Sequence, residues 1–132
     1  MTQNNSDQKI KVLIVDDDKF LLDMYAIKFG QNGFEVMACL DAEYALEKIR
    51  GGFIPKIVLS DLLMPSMDGF VFLERMRDEK LASGAKKIVL SNKGEKSDID
   101  RAVSLGANGY IIKANVIPSE VVEKVREIFK KN

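Results

Sequence analysis

The chain has 132 residues, room for one ordinary core and not comfortably for two, and its 46% hydrophobic and 30% charged content is globular, neither disordered nor collagenous. Lys plus Arg and Asp plus Glu number 20 each, so no overall charge draws it to nucleic acid or an anionic membrane; its longest apolar run, residues 36–40, falls far short of the ~20 needed to span a bilayer. The lone Cys39 excludes an internal disulfide, and the absence of histidine removes the commonest zinc ligand and general base. A soluble, cytoplasmic protein is expected, with no nucleic acid and no membrane partner, and with chemistry carried by carboxylates, hydroxyls and lysines.

Residues 1–9 are small or polar without apolar period and read as a disordered tail, leaving a folded domain over 10–132. Apolar runs rich in β-branched residues at 11–15, 34–38, 56–59, 87–90 and 109–112 predict five strands. Helical spacing between and after them, as in Leu22, Tyr25, Ala26 and Phe29 or Val121, Val122, Val125, Ile128 and Phe129, predicts five helices. Punctuation agrees: Gly33 follows the first helix, Asp41 and Asp68 suit the caps of the second and third, Gly106 ends the fourth, and Pro118 fits the first turn of the fifth. Strict alternation with long crossovers implies a parallel sheet covered by helices on both faces, with the strand broken by Glu35 at an edge.

In such a sheet every strand ends on one side, where ligands bind. The first strand is followed by Asp16, Asp17 and Asp18, the third by Asp61, the fourth by Ser91 and the fifth by Lys113. Carboxylates packed together repel unless a cation compensates, and hard oxygen donors without His or Cys suit Mg²⁺. A carboxylate beside such a metal can be a nucleophile towards a phosphoryl group, with a hydroxyl and an ammonium stabilising the transferred oxygens.

Val15-Asp16-Asp17, the stretch Asp61-Leu62-Leu63-Met64-Pro65-Ser66-Met67-Asp68-Gly69, Ser91, and Gly109-Tyr110-Ile111-Ile112-Lys113 resemble the receiver domain of two-component response regulators over roughly residues 10–130. That resemblance implies an α/β, doubly wound, flavodoxin-like fold: a five-stranded parallel sheet of order 2-1-3-4-5 with five helices. It implies that Asp61 is the phosphoacceptor, Asp17 a direct Mg²⁺ ligand and Asp16 a ligand mainly through water. The backbone carbonyl of Leu63 completes the protein ligands, Ser91 and Lys113 hold the phosphoryl group, and Tyr110 changes rotamer on activation. The phosphoryl donor would be a sensor histidine kinase or a histidine phosphotransfer protein. The expected output is a protein contact through the fourth helix, fifth strand and fifth helix, over 97–105 and 110–129. A stand-alone regulator is expected, catalysing at most its own phosphorylation and dephosphorylation; the alternative is a non-phosphorylated receiver-like binding module.

Other residues have plainer readings. Asp18 suits an N-cap better than a ligand, Asp68-Gly69 reads as cap and turn, Pro65 as a loop stiffener, Met24 and Met76 as core filler, and Cys39 as an inert small hydrophobe. Lys86 and Lys87 read as a solvated strand start, and Tyr110, apart from the resemblance, as a half-buried aromatic. The sequence departs from the usual receiver at two positions. Asn92 stands where a small residue follows the hydroxyl, which is expected to narrow access to the phosphoryl site, and Ala114 replaces the proline after the lysine, which leaves the fifth loop unfixed. The polar loop at 91–96, with Gly94, reads as mobile. A dehalogenase-type hydrolase matches Asp16-Asp17-Asp18 but not Phe20, and a flavodoxin would not put three aspartates against a flavin phosphate.

Overall fold

The computed structural model describes residues 8–131. Its elements are β1 (Ile10–Val15), α1 (Lys19–Gln31), β2 (Phe34–Cys39), α2 (Ala42–Arg50), β3 (Ile57–Ser60), α3 (Gly69–Asp78), β4 (Lys86–Ser91), α4 (Lys96–Ser104), β5 (Gly109–Ile112) and α5 (Pro118–Lys130), with a 3₁₀ turn at Lys113–Asn115. The five strands pair in parallel in the order β2-β1-β3-β4-β5, as expected, with β2 at one edge. Most of the expected tail, residues 1–7, lies outside the described residues; Gln8 and Lys9 are exposed.

The alternation of side chains along each strand sorts the core into two layers. Val12, Ile14, Ile57, Leu59, Ile88, Leu90 and Ile111 face α1 and α5, meeting Leu22, Tyr25 and Phe29 from one helix and Val121, Val122 and Val125 from the other. Leu13, Val15, Val58 and Val89 face the opposite way, onto α2, α3 and α4. Caps stop the helices where expected: the Asp18, Asp41 and Asp68 carboxylates accept the amides of Leu21, Tyr44 and Val71 at 3.1, 2.8 and 2.9 Å. Gly33 and Gly106 follow α1 and α4 at φ +90° and +107°, the left-handed region that a side chain would oppose. No helix among the described residues is long and apolar enough to cross a membrane.

Several local expectations need correction. Met76 is core but Met24 is only half-buried, because it sits to one side of the Leu22, Tyr25 and Phe29 stripe. Lys87 is not simply solvated: it is half-buried, its ammonium donates to the Ala82 carbonyl at 2.5 Å, and desolvation holds its pKa below the usual lysine value. Gly94 also packs closely: a methyl group there would meet the tip of the Ile112 side chain. The 3₁₀ turn that carries Lys113 has no counterpart in the predicted elements.

Candidate functional site

Two strand ends, those of β1 and β3, bring the acidic residues together. The Asp16 amide donates to the Cys39 carbonyl at 3.1 Å, and the Asp61 amide to the Val15 carbonyl at 3.0 Å, so both positions are fixed by continuing the sheet ladder past the strands. Carboxylate oxygens of Asp16, Asp17 and Asp61 all lie within 4.8 Å of one another, with Asp16 and Asp61 buried and Asp17 exposed. Asp17 opens onto a groove shared with Leu40, Asp41, Pro65 and Ser66.

The Lys113 ammonium stands 2.7 Å from Asp16 Oδ2 and 2.7 Å from Asp61 Oδ2, bridging the first and third strand ends from the fifth. Its side chain is 10% exposed. Burial pulls the Lys113 pKa down, but hydrogen bonds to the two carboxylates outweigh it and hold the ammonium above its ordinary value. The Asp16 pKa is raised as well, here by burial, which the contacts with Lys113 and the Asp18 amide only partly offset. One ammonium against three carboxylates leaves the cluster in negative excess.

The donor set fits a hard divalent cation. Ligands about 2.1 Å from one Mg²⁺ stand at most about 4.2 Å apart, so a cluster within 4.8 Å needs only a small contraction to bind it. The exposed Asp17 gives an approach from solvent.

The structure adds two features that sequence reasoning did not assign. Gly69 is not a turn residue but the first residue of α3, pressed against the loop after β3: a methyl group there would collide with the Asp61 carbonyl oxygen and stand 2.8 Å from Leu62 Cα. The Gly69 amide donates to the Leu62 carbonyl at 2.9 Å, and the Leu62 amide in turn donates to Asp61 Oδ1 at 2.7 Å. The buried Ser60 hydroxyl donates to the Asp61 carbonyl at 2.8 Å. The Asp68-Gly69 pair, beginning seven residues past Asp61, was the available signal, but only packing shows that it seats the loop after Asp61.

On the other side, Ser91 is 0% exposed and its Oγ accepts the Lys93 amide at 3.2 Å, while among the described residues its hydroxyl proton has no acceptor. Tyr110 is half-buried against the α2–α4 layer, and its hydroxyl donates to the Lys93 carbonyl. Burial, reinforced by Asp98 and Asp61, raises the Tyr110 pKa. The two departures prove to be partners: the Ala114 amide, which proline would lack, donates to Asn92 Oδ1 at 2.8 Å. Among the described residues no peptide bond is cis. The fifth loop is therefore tied, against the expectation that losing proline leaves it unfixed. Leu63 is 61% exposed in the loop after Asp61.

Comparison with known proteins agrees with this arrangement. The chain is 32% identical over 122 residues to the DNA-binding response regulator MtrA of Mycolicibacterium paratuberculosis, covering 92% of this chain and 52% of that protein. It is 25% identical over 121 residues to the phosphate regulon transcriptional regulatory protein PhoB of Escherichia coli, again covering 92% and 52%. The chain thus spans about half the length of these curated relatives. Among solved structures, a CheY-like receiver domain protein from Methanospirillum hungatei superposes with a TM-score of 0.83 at 30% identity, covering 92% of this chain and 94% of that one. Vibrio cholerae chemotaxis protein CheY4 shares the fold, with a TM-score of 0.85 at 24% identity over 92% and 99% of the two chains. The response regulator receiver domain family matches residues 12–126, from within β1 to within α5, and so takes in all the strand ends that meet at Lys113: the chain belongs to the receiver family of two-component signalling.

Proposed function

We propose that this receiver accepts a phosphoryl group on Asp61 from a phosphohistidine of a sensor kinase or phosphotransfer protein in the cytoplasm, and converts the event into a change at a protein-binding face. The observation that carries this is the Asp61 carboxylate itself. It is buried at a strand end, held through one oxygen by a backbone amide and through the other by Lys113, and it stands beside two further carboxylates. Its oxygen forms the new bond to phosphorus as the bond from phosphorus to the imidazole nitrogen breaks, and the donor's ring leaves with the electron pair. Asp17 and Asp61, the Leu63 carbonyl, and Asp16 through water would hold Mg²⁺, which when bound neutralises charge on the phosphoryl oxygens. Lys113 lies within reach of the same oxygens, and Ser91 has a proton to donate once it turns from the Lys93 amide.

The output face favoured here is α4, β5 and α5. Helix α4 buries only Asp98 and Ala102, so little apolar area opposes its displacement. Moving a population from 1:99 to 99:1 needs about 5.5 kcal/mol of differential stabilisation. Charge-assisted hydrogen bonds from Ser91 and Lys113 are worth roughly 1.5–3 kcal/mol each, enough for a substantial shift if both are made only to the phosphorylated form. Leu63, Asn92 and Lys93 around the acceptor are expected to hinder in-line water and lengthen the life of the acyl phosphate.

Intact-mass measurement after incubation with acetyl phosphate and Mg²⁺ tests this. The wild type gains one phosphoryl group, Asp61→Asn gains none, and Asp17→Ala loses most of the labelling. A phosphoryl group on Asp61→Asn would overturn the assignment.

A further inference from the structure

Strands β4 and β5 run in register to their last pair, Ser91 with Ile112, and there the backbone ladder stops. The residues that follow the two strands are Asn92 and Lys113, and the next tie is made by a side chain: Asn92 Oδ1 accepts the Ala114 amide at 2.8 Å. The amide oxygen thus continues the sheet's hydrogen bonding beyond the strand ends. Lys113 lies between the last ladder pair and this tie, and the turn that carries it closes with a long bond, from the Val116 amide to the Lys113 carbonyl at 3.3 Å. Its ammonium must nevertheless sit 2.7 Å from two carboxylates at once. A turn free to swing would not hold that position.

We infer that Asn92 is a positioning residue for Lys113, its side-chain oxygen anchoring the Ala114 amide and so fixing the turn that aims the ammonium at Asp16 and Asp61. The same tie joins the loop of Ser91 to the loop of Lys113, and the Tyr110 hydroxyl bonded to the Lys93 carbonyl makes a second link one residue along. The two groups expected to contact a phosphoryl oxygen are therefore carried on one tied unit. The effect on labelling rests on the proposed acceptor role of Asp61; the clamp itself does not.

The test compares Asn92→Leu, which keeps the shape and removes the acceptor, with Asn92→Asp, which keeps the acceptor. Hydrogen exchange at the Ala114 amide should quicken about threefold to tenfold in Asn92→Leu, the worth of one hydrogen bond, and stay as in the wild type in Asn92→Asp. The Nζ–H signal of Lys113 should shift or broaden in Asn92→Leu alone. Labelling of Asp61 by acetyl phosphate at saturating Mg²⁺ should slow by a similar factor in Asn92→Leu. It should not slow further when Asn92→Leu is added to Lys113→Met, because the residue acts through the lysine. Unchanged Ala114 exchange, an unmoved Lys113 signal, or an equal further loss in the Lys113→Met background would overturn the inference. A wild type that takes no label would overturn the acceptor role instead, and the two spectroscopic readouts would still decide the clamp.

Discussion

The two sides of the site are held by different means. Around Asp16 and Asp61 the chain is buried, each backbone amide continues the sheet ladder, and α3 approaches so closely that only a glycine fits at position 69. Around Ser91 and Lys113 the ties are side chain to backbone: Tyr110 to Lys93, Lys93 to Ser91, Ala114 to Asn92. Two of the linked residues, Asn92 and Ala114, are exposed, so water competes for those bonds. The contrast supports the proposed roles, with one half a fixed acceptor and the other a moving part. Close packing has no second arrangement of similar energy, whereas exposed hydrogen bonds can be exchanged at small cost.

Lys113 joins the halves, and removing it is the strongest way to break the comparison. In chelator-containing buffer, Lys113→Met should lower the unfolding free energy by about 3–5 kcal/mol, because it leaves Asp16 and Asp61 buried without a counter-charge. Urea titration measures this, and added Mg²⁺ should narrow the gap by supplying the missing positive charge. A loss that Mg²⁺ leaves untouched would mean that the acidic cluster is not what the lysine compensates.

Within the fixed half, Gly69→Ala should cost about 1–3 kcal/mol, the usual penalty of overpacking, and should slow labelling by displacing the loop of Asp61. Equal stability to the wild type would show that this loop can yield, and that the acceptor side is less rigid than its packing implies. Within the movable half, Tyr110→Phe should cost only about 0.5–1.5 kcal/mol by urea titration, with faster amide exchange confined to 92–96. A cost above that of Gly69→Ala would reverse the ranking.

The smallest effect concerns Cys39, whose carbonyl receives the Asp16 amide. Burial, helped by Asp41, pushes its thiol from 9.0 up to about 12. A thiol reagent at neutral pH should therefore label the unfolded chain and spare the folded one. Since the folded pKa is the raised one, the folded state keeps a proton that the unfolded state loses. Stability from this group is complete below pH 9.0 and falls as pH rises towards about 12. Rapid labelling of the native protein would show that the acceptor side opens to solvent.

Much of this was written in the order of residues. Alternating β-branched runs and helical spacing specify the five strands and the helices, because hydrophobic period and capping chemistry are local. The same alternation sends every strand end to one edge, so Asp16, Asp17, Asp61, Ser91 and Lys113 could be grouped before any coordinate was known. What the tertiary structure alone decided concerns contacts between segments far apart in the chain. Gly69 against Asp61 was hidden because glycine in an Asp-Gly pair looks the same whether it bends a turn or makes room for a neighbour. Lys87 turned to the Ala82 carbonyl because its stem runs beside a loop whose path no local pattern specifies. Asn92 and Ala114 looked in sequence like two separate departures, one crowding the site and one loosening it. They are 22 positions apart, and only the register of β4 on β5 sets the amide of one against the side-chain oxygen of the other.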